Sequence, residues 1–310
     1  MTSDNPQDIA KLAYAACDAG NLHEAAVHFD ALPCLFPEYA DYHYMQGLVH
    51  KYLRDWPVSL RDNLRSQALR SEPDEGSIWN AGIAATGLGD WAEARRQWKS
   101  CGINLPDGEG PIDGDFGMVS IRLNPWGNGE TLYARRIDPV RARLLNVPLP
   151  ESGYRFGDIV LHDGAQTGTR TLGDGTDVPV FNALDRLRRS DFETVSVFVT
   201  CEEPGQLASL TEIDAPGIGY IEDWTHSLTM LCRRCSYGIP HSHEAQPKEE
   251  AWESARNIGV AAQGRVVVEK LLDRWKGSGR SIDGIKSCDF PLPTPADGLV
   301  WWQSPDDEQS

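Results

Sequence analysis

The stretch Ile9-Ala-Lys-Leu-Ala-Tyr-Ala-Ala-Cys-Asp-Ala-Gly-Asn-Leu-His-Glu-Ala25 decides the fold, because it returns as Ile78-Trp-Asn-Ala-Gly-Ile-Ala-Ala-Thr-Gly-Leu-Gly-Asp-Trp-Ala-Glu-Ala94. Ile9, Leu12, Ala13, Ala16, Gly20, Ala25, Phe29, Leu32 and Pro37 correspond at one constant offset to Ile78, Ala81, Gly82, Ala85, Gly89, Ala94, Trp98, Cys101 and Pro106. Half of that offset is roughly 34 residues, the length of a helix–turn–helix unit that stacks on its neighbours. A weaker copy lies between them, with Gly47 in the place of Ala13 and Gly82, closing on Ala68 and Pro73. In this reading two extra residues near Arg54 to Pro57 absorb the mismatch. Apolar residues at helical spacing on both sides of a turn predict antiparallel helix pairs.

The pattern resembles the tetratricopeptide repeat over residues 6–106. The resemblance implies a solenoid of three helix–turn–helix repeats, in which small residues sit where paired helices cross and a large residue wedges between repeats. It also implies that the first helix of each pair lines a groove that holds a partner polypeptide. In this register Tyr14, Tyr44, Lys51, Tyr52 and Trp79 face the groove, and the aromatic ones supply the stiff, amphipathic surface that dominates binding energy. For Trp79, packing between helices competes with that role. Some members of the family clamp a C-terminal carboxylate with lysine, arginine and asparagine. Those positions here hold Ala10, Tyr14 and Trp79, so the clamp is not implied.

After the repeats, residues 107–117 are dense in glycine, proline and aspartate and read as a linker. Residues 118–300 carry strand punctuation, so the fold class is α+β with two domains, followed by an acidic tail over 301–310. A hairpin is expected from Met118–Leu123 and Thr131–Ile137, a central strand over Thr194–Thr200, a helix after Pro204 and a strand near Gly217–Trp224. Asn182 to Arg189 reads as a short helix. Pro247 to Lys276 has helical periodicity with breaks at Gly259 and Gly264. Asp163 to Gly168 and Gly173 to Asp177 read as a hairpin tip. A three-repeat solenoid leaves a trailing apolar face, so the second domain is expected to dock on the last repeat and cover it.

The sharpest local motif is Leu231-Cys-Arg-Arg-Cys-Ser-Tyr-Gly-Ile-Pro-His-Ser-His243. Cys232 and Cys235 are spaced for a metal-binding knuckle, and His241 and His243 complete a Cys2His2 set of the softness that selects zinc. The short separation of the two pairs leaves one histidine free to face away, with Cys201, Cys288, His162 or His226 as substitutes. A reduced cysteine pair and a redox dithiol are the alternatives. Four protein ligands would make a structural site, whereas three plus water would activate a nucleophile. Walker, dinucleotide-binding, nucleophile-elbow and His-Glu-x-x-His motifs are absent.

With 29 basic and 46 acidic residues the net charge is −17, a surface that repels phosphate backbones and suits a basic protein partner. No apolar run suggests a membrane span or a leader, and seven cysteines without a leader favour a cytoplasmic chain of thiols or metal ligands. The expected function is therefore non-catalytic protein binding by an adaptor, inhibitor or toxin-neutralising protein. The alternative is a zinc-dependent hydrolase or transferase that recruits a protein substrate through its repeats.

Overall fold

The computed structural model describes residues 5–239 and 252–305. It opens with six helices, α1 (Pro6–Asp18), α2 (Leu22–Leu35), α3 (Ala40–Tyr52), α4 (Trp56–Leu69), α5 (Glu75–Leu88) and α6 (Trp91–Ser100). The side chains of Asn5, Asp55, Asp74 and Asp90 accept first-turn amides and so start α1, α4, α5 and α6. Within each pair the chain reverses through a left-handed residue, Gly20, Arg54 and Gly89 in turn. Helices of a pair approach closely, since a Cβ on Gly47 would meet the Asn63 amide at 2.4 Å and one on Gly82 the Trp98 ring at 2.4 Å.

These turns correct the reading of the middle copy. Arg54 adopts the conformation of Gly20 and Gly89 in the same place, so no insertion lies there. Ser59, Asn63 and Ser66 occupy the positions of Ala25, Phe29 and Leu32, and all three are buried. Ser59 donates its hydroxyl to the Gly47 carbonyl at 2.8 Å and Asn63 its amide to the Ser59 carbonyl at 2.8 Å. These donors are satisfied within the pair, which is why polar residues can fill core positions there. Alignment on apolar residues alone slid to Ala68.

The sheet-rich part contains two units. In the first, β1 (Met118–Leu123), β2 (Glu130–Arg136), β3 (Arg141–Leu144), β4 (Ile159–Thr171) and β5 (Asp177–Arg188) form a closed barrel. An odd number of strands running up and down must close with its ends parallel, and β1 pairs parallel with β5. The stretch expected as a helix, Asn182 to Arg189, is mostly strand because β4 and β1 hold its edges. The hairpin tip is confined to residues 172–176, where the Leu172 and Thr176 backbones bond. Asp163 to Gly168 instead belongs to β4 and contains bulges, with more residues between His162 and Gln166 than between their partners Ala183 and Phe181. The surplus is pushed out of the barrel wall.

The second unit runs β6 (Glu193–Cys201), α7 (Pro204–Thr211), β7 (Ile218–Asp223), the short helices α8 (Trp224–Ser227) and α9 (Arg233–Ser236), β8 (Ala255–Ala262), α10 (Arg265–Trp275) and β9 (Arg280–Ser287). Its strand order, β7-β8-β6-β9, with antiparallel neighbours, is the split β-α-β arrangement of ferredoxin-like sheets. Val195, Val197, Ile258 and Val260 bury against Leu210, Leu271, Leu272 and Trp275. The helix read over Pro247 to Lys276 begins outside the described residues, and from residue 252 onward its span holds two elements, β8 and α10. A central strand is apolar on both faces and loses the alternation that would distinguish it from a helix. Gly259 lies under the Trp224 indole, where a Cβ would come within 2.3 Å.

One core joins the helices to the barrel. Phe29, Ile83 and Trp98 belong to the same cluster as Ile112 of the connecting segment, Trp126, Val140, Leu161 and Leu184 of the barrel, and Trp301 near the C-terminus. Residues 107–117 contain no helix or strand, yet Arg95 donates to the carbonyls of Pro106 and Gly110 and Ile112 is buried, so this segment covers α6. The β4 bulge fills part of the face formed by α1, α3 and α5. Asp163 meets Lys51 at 3.0 Å with both side chains about 3 % exposed, and Gly164 lies against the Trp79 ring. Lys51→Ala or Asp163→Ala leaves one buried charge alone and is expected to cost about 3–5 kcal/mol, whereas a double Lys51→Met, Asp163→Leu variant recovers most of it. Urea denaturation of the full chain checks this; equal stability of the single variants and wild type would refute it.

Candidate functional site

The concave face of the helices is bounded on one side by the β4 bulge and on the other by the C-terminal segment. Residues 297–304 cross this face in an irregular conformation. Asp297 accepts the Leu22 amide at the start of α2 and pairs with His23, while the Gly298 amide donates to the Gly20 carbonyl. Gly20 is required there for space as well as for its left-handed backbone, since a Cβ would lie 2.6 Å from the Leu299 main chain. Arg233 donates to the Val300 carbonyl at 3.2 Å, and Asn182 and the Tyr237 hydroxyl both donate to the Trp301 carbonyl at 2.9 Å. Ser304 donates its hydroxyl to the Thr167 carbonyl at 2.6 Å.

The two tryptophans of this segment differ. Trp301 is buried between Tyr52 and Trp126, with ring centres 5.2 and 5.8 Å away. Trp302 is partly exposed and stacks on Tyr52, 5.1 Å between centres and 20° between planes. Beside it lies a cavity of about 450 Å³, walled by Tyr14, Cys17, Met45, Leu48 and Tyr52 from the helices, Arg233 from α9, and Trp302 to Pro305. Its size is that of a ligand or side-chain pocket, and its lining is about equally polar and apolar, with Asp18, Arg233, Gln303 and Ser304 beside the aromatic and aliphatic side chains. Burial, and then Asp18, push the Cys17 thiol up to about 11, so it stays protonated and acts as an apolar wall.

The sequence-predicted groove residues divide accordingly. Tyr14 is 41 % exposed, packs edge-on to Phe29 at 5.3 Å and lines the cavity. Tyr52 lines it too but is otherwise covered by Trp301 and Trp302, and burial, followed by Asp163, holds its phenol well above the usual range. The Lys51 ammonium lies 4.3 Å from the Tyr52 ring centre and is occupied by Asp163. Tyr44 is turned toward α5, where burial and Asp74 raise its phenol and a Cβ on Gly76 would touch its hydroxyl. Trp79 packs on Trp98 and on the β4 bulge, the packing role weighed for it from sequence.

The sequence matches no protein-family model and no curated protein.

Cys232 caps α9, its sulfur accepting the Cys235 amide at 3.4 Å. The turn after α9 is bound to the barrel. Thr169 donates its amide to the Gly238 carbonyl, Thr167 its hydroxyl to the Tyr237 carbonyl and Arg170 to the Cys235 carbonyl. Arg122 donates to the Ser236 hydroxyl and lies over the buried Tyr237 ring at 4.1 Å. The amide donated to the Cys232 sulfur and the fixed turn suit a metal knuckle, and two thiols are half of the donor set that zinc needs. Among the described residues no three metal-ligating side chains converge. His241 and His243 lie outside the described residues, so their half of the set is not part of this geometry. Of the sequence-level substitutes, His162 is buried in the barrel against Phe181, with its imidazole lowered to about 4 by burial.

Sequence reasoning missed the C-terminal segment and ran the acidic tail from 301. The available signal was the adjacent pair Trp301-Trp302, since two indoles in a polar terminal stretch are costly to leave in water. Trp301→Ala is expected to destabilise the chain by about 3–5 kcal/mol, and Trp302→Ala by clearly less, because only the first leaves a closed cavity. Thermal melts of both variants measure the difference; similar losses would contradict the division between a buried and a seated indole.

Proposed function

We propose that this protein is a non-catalytic binding protein whose helical repeats, of the tetratricopeptide type, hold a partner polypeptide at the open part of their concave face. The observation that carries this reading is the cavity beside Tyr14, Leu48 and Trp302, a recess of mixed aromatic, aliphatic and polar lining that the described residues leave unfilled. Left-handed turns that recur at Gly20, Arg54 and Gly89 support the repeat assignment. The net charge of −17 favours a basic partner and would steer its approach, as an adaptor, an inhibitor or a toxin-neutralising protein requires. Lys51, Tyr52 and Trp79 then act through the shape of the site, since their faces are taken by the barrel and the C-terminal segment.

The tagged full chain is expected to retain one stoichiometric partner from its native cells, and Tyr14→Ala to reduce the recovered amount at least about ten-fold. Such a loss corresponds to about 1.4 kcal/mol, ordinary for an aromatic residue at the centre of an interface. Equal recovery by wild type and variant would overturn the groove reading.

Cys232 and Cys235 hold structural zinc in this proposal, with His241 and His243 as the remaining ligands. The support is the amide donated to the Cys232 sulfur and the anchoring of the turn on the barrel. About one zinc per chain is expected by elemental analysis, with loss of metal and a lower melting temperature in Cys232→Ser. A metal-free wild type that is as stable before as after added zinc would refute the assignment.

A further inference from the structure

The C-terminal segment is bound unevenly, and the unevenness points to a moving part. From Asp297 to Trp301 nearly every residue is held: a carboxylate on the α2 terminus, an amide on Gly20, and two carbonyls that together receive Arg233, Asn182 and Tyr237. The Trp301 indole adds full burial. Beyond it, among the described residues, Trp302 stacks on Tyr52 and packs edge-on to Trp301, the Ser304 hydroxyl bonds Thr167, and the Pro305 ring is buried. The stack and the single neutral hydrogen bond belong to weak classes of contact, and Gln303 and Ser304 between the two packed rings are exposed. Trp302 and Ser304 also line the cavity, together with Tyr14, Cys17 and Leu48 of the helices.

We propose that Trp302 to Pro305 is a flap that the chain closes over its own binding site, hinged at the locked Trp301, and that the incoming ligand is an extended segment with a large aromatic residue that takes the place of Trp302 on Tyr52. This rests on the groove reading. Tyr52 and Trp302 both line the cavity, so the ring already stacked on Tyr52 shows what chemistry that surface accepts, a flat aromatic side chain. Competition between flap and ligand lowers apparent affinity by the fraction of time the flap is closed, and removing the flap's ring relieves that competition. Ligand entry costs the Trp302 stack, the Ser304 hydrogen bond and the burial of the small Pro305 ring, while Trp301 keeps the helices joined to the barrel.

The test uses the full chain labelled with 5-fluorotryptophan, with the Trp301 and Trp302 fluorine signals assigned from Trp301→Phe and Trp302→Phe. The probe is a synthetic peptide, Ala-Asp-Gly-Leu-Val-Trp-Trp-Gln-Ser-Pro, which copies residues 296–305. Saturable displacement of the Trp302 signal with an unmoved Trp301 signal is expected, together with binding at least about five-fold tighter in Trp302→Ala and measurably tighter in Ser304→Ala. Peptide binding that is lost in Tyr14→Ala while the Trp302 signal stays fixed would overturn the flap and leave the groove reading intact. Binding indifferent to Tyr14→Ala and Trp302→Ala alike would overturn both. Absence of binding to wild type, Trp302→Ala and Ser304→Ala would overturn the aromatic-segment ligand.

Discussion

The Lys51–Asp163 pair is the constraint on which the arrangement of this molecule depends. An ammonium and a carboxylate removed from water each lose several kcal/mol of hydration, and only the partner makes that tolerable. Lys51 comes from the inner helix of the middle pair and Asp163 from a bulge in a barrel strand, so neither charge is satisfied unless helices and barrel meet in one register. The Tyr52 ring beside the ammonium and the Trp79 ring against Gly164 surround the pair with apolar surface and keep water out. The barrel thus acts as a covering for the solenoid's inner face, and the helices in turn give the bulge a reason to project. Regions that look like separate domains in the chain order share one core.

That sharing sets what remains for function. The bulge takes one end of the concave face and the C-terminal segment crosses the other, leaving a recess of about 450 Å³ rather than an open groove. The cysteine turn belongs to the same region. Arg233, directly after Cys232, and Tyr237, two residues after Cys235, hold the carbonyls of Val300 and Trp301, while the backbone of the turn is tied to β4. A short run of hydrogen bonds therefore joins the cysteine turn to the segment that walls the recess.

Residues differed in how openly they announced their roles. Ala13, Gly82, Gly20 and Gly89 could be read because each answers to a local requirement, close helix crossing or a left-handed turn, that few residue types meet. Ser59, Asn63 and Ser66 hid the middle repeat, since hydrogen bonds inside the helix pair let polar side chains occupy core positions. Ala255 to Ala262 looked helical because a strand buried on both faces has no two-residue rhythm. Tyr14 was recognisable as a surface aromatic of the inner helix and lines the recess. Tyr52 and Trp79 were placed on the correct face, but nothing local could reveal that the same chain covers them from distant positions, Trp301 and Gly164.

The amino-acid sequence by itself determined the helical repeats, their spacing, the change to strands after residue 117, the acidic surface and the position of the cysteine turn. These follow from periodicity, turn chemistry and composition, which act over a few residues at a time. Tertiary structure alone decided that the barrel plugs the solenoid, that Trp301 is a core residue rather than the start of a tail, and that the recess is bounded by Trp302 and Arg233. Those outcomes depend on pairing Lys51 with Asp163 and on burying an indole between surfaces from separate parts of the chain. Both are long-range events, driven by the cost of leaving charge unpaired or apolar area in water, and no local window of sequence contains the two partners at once.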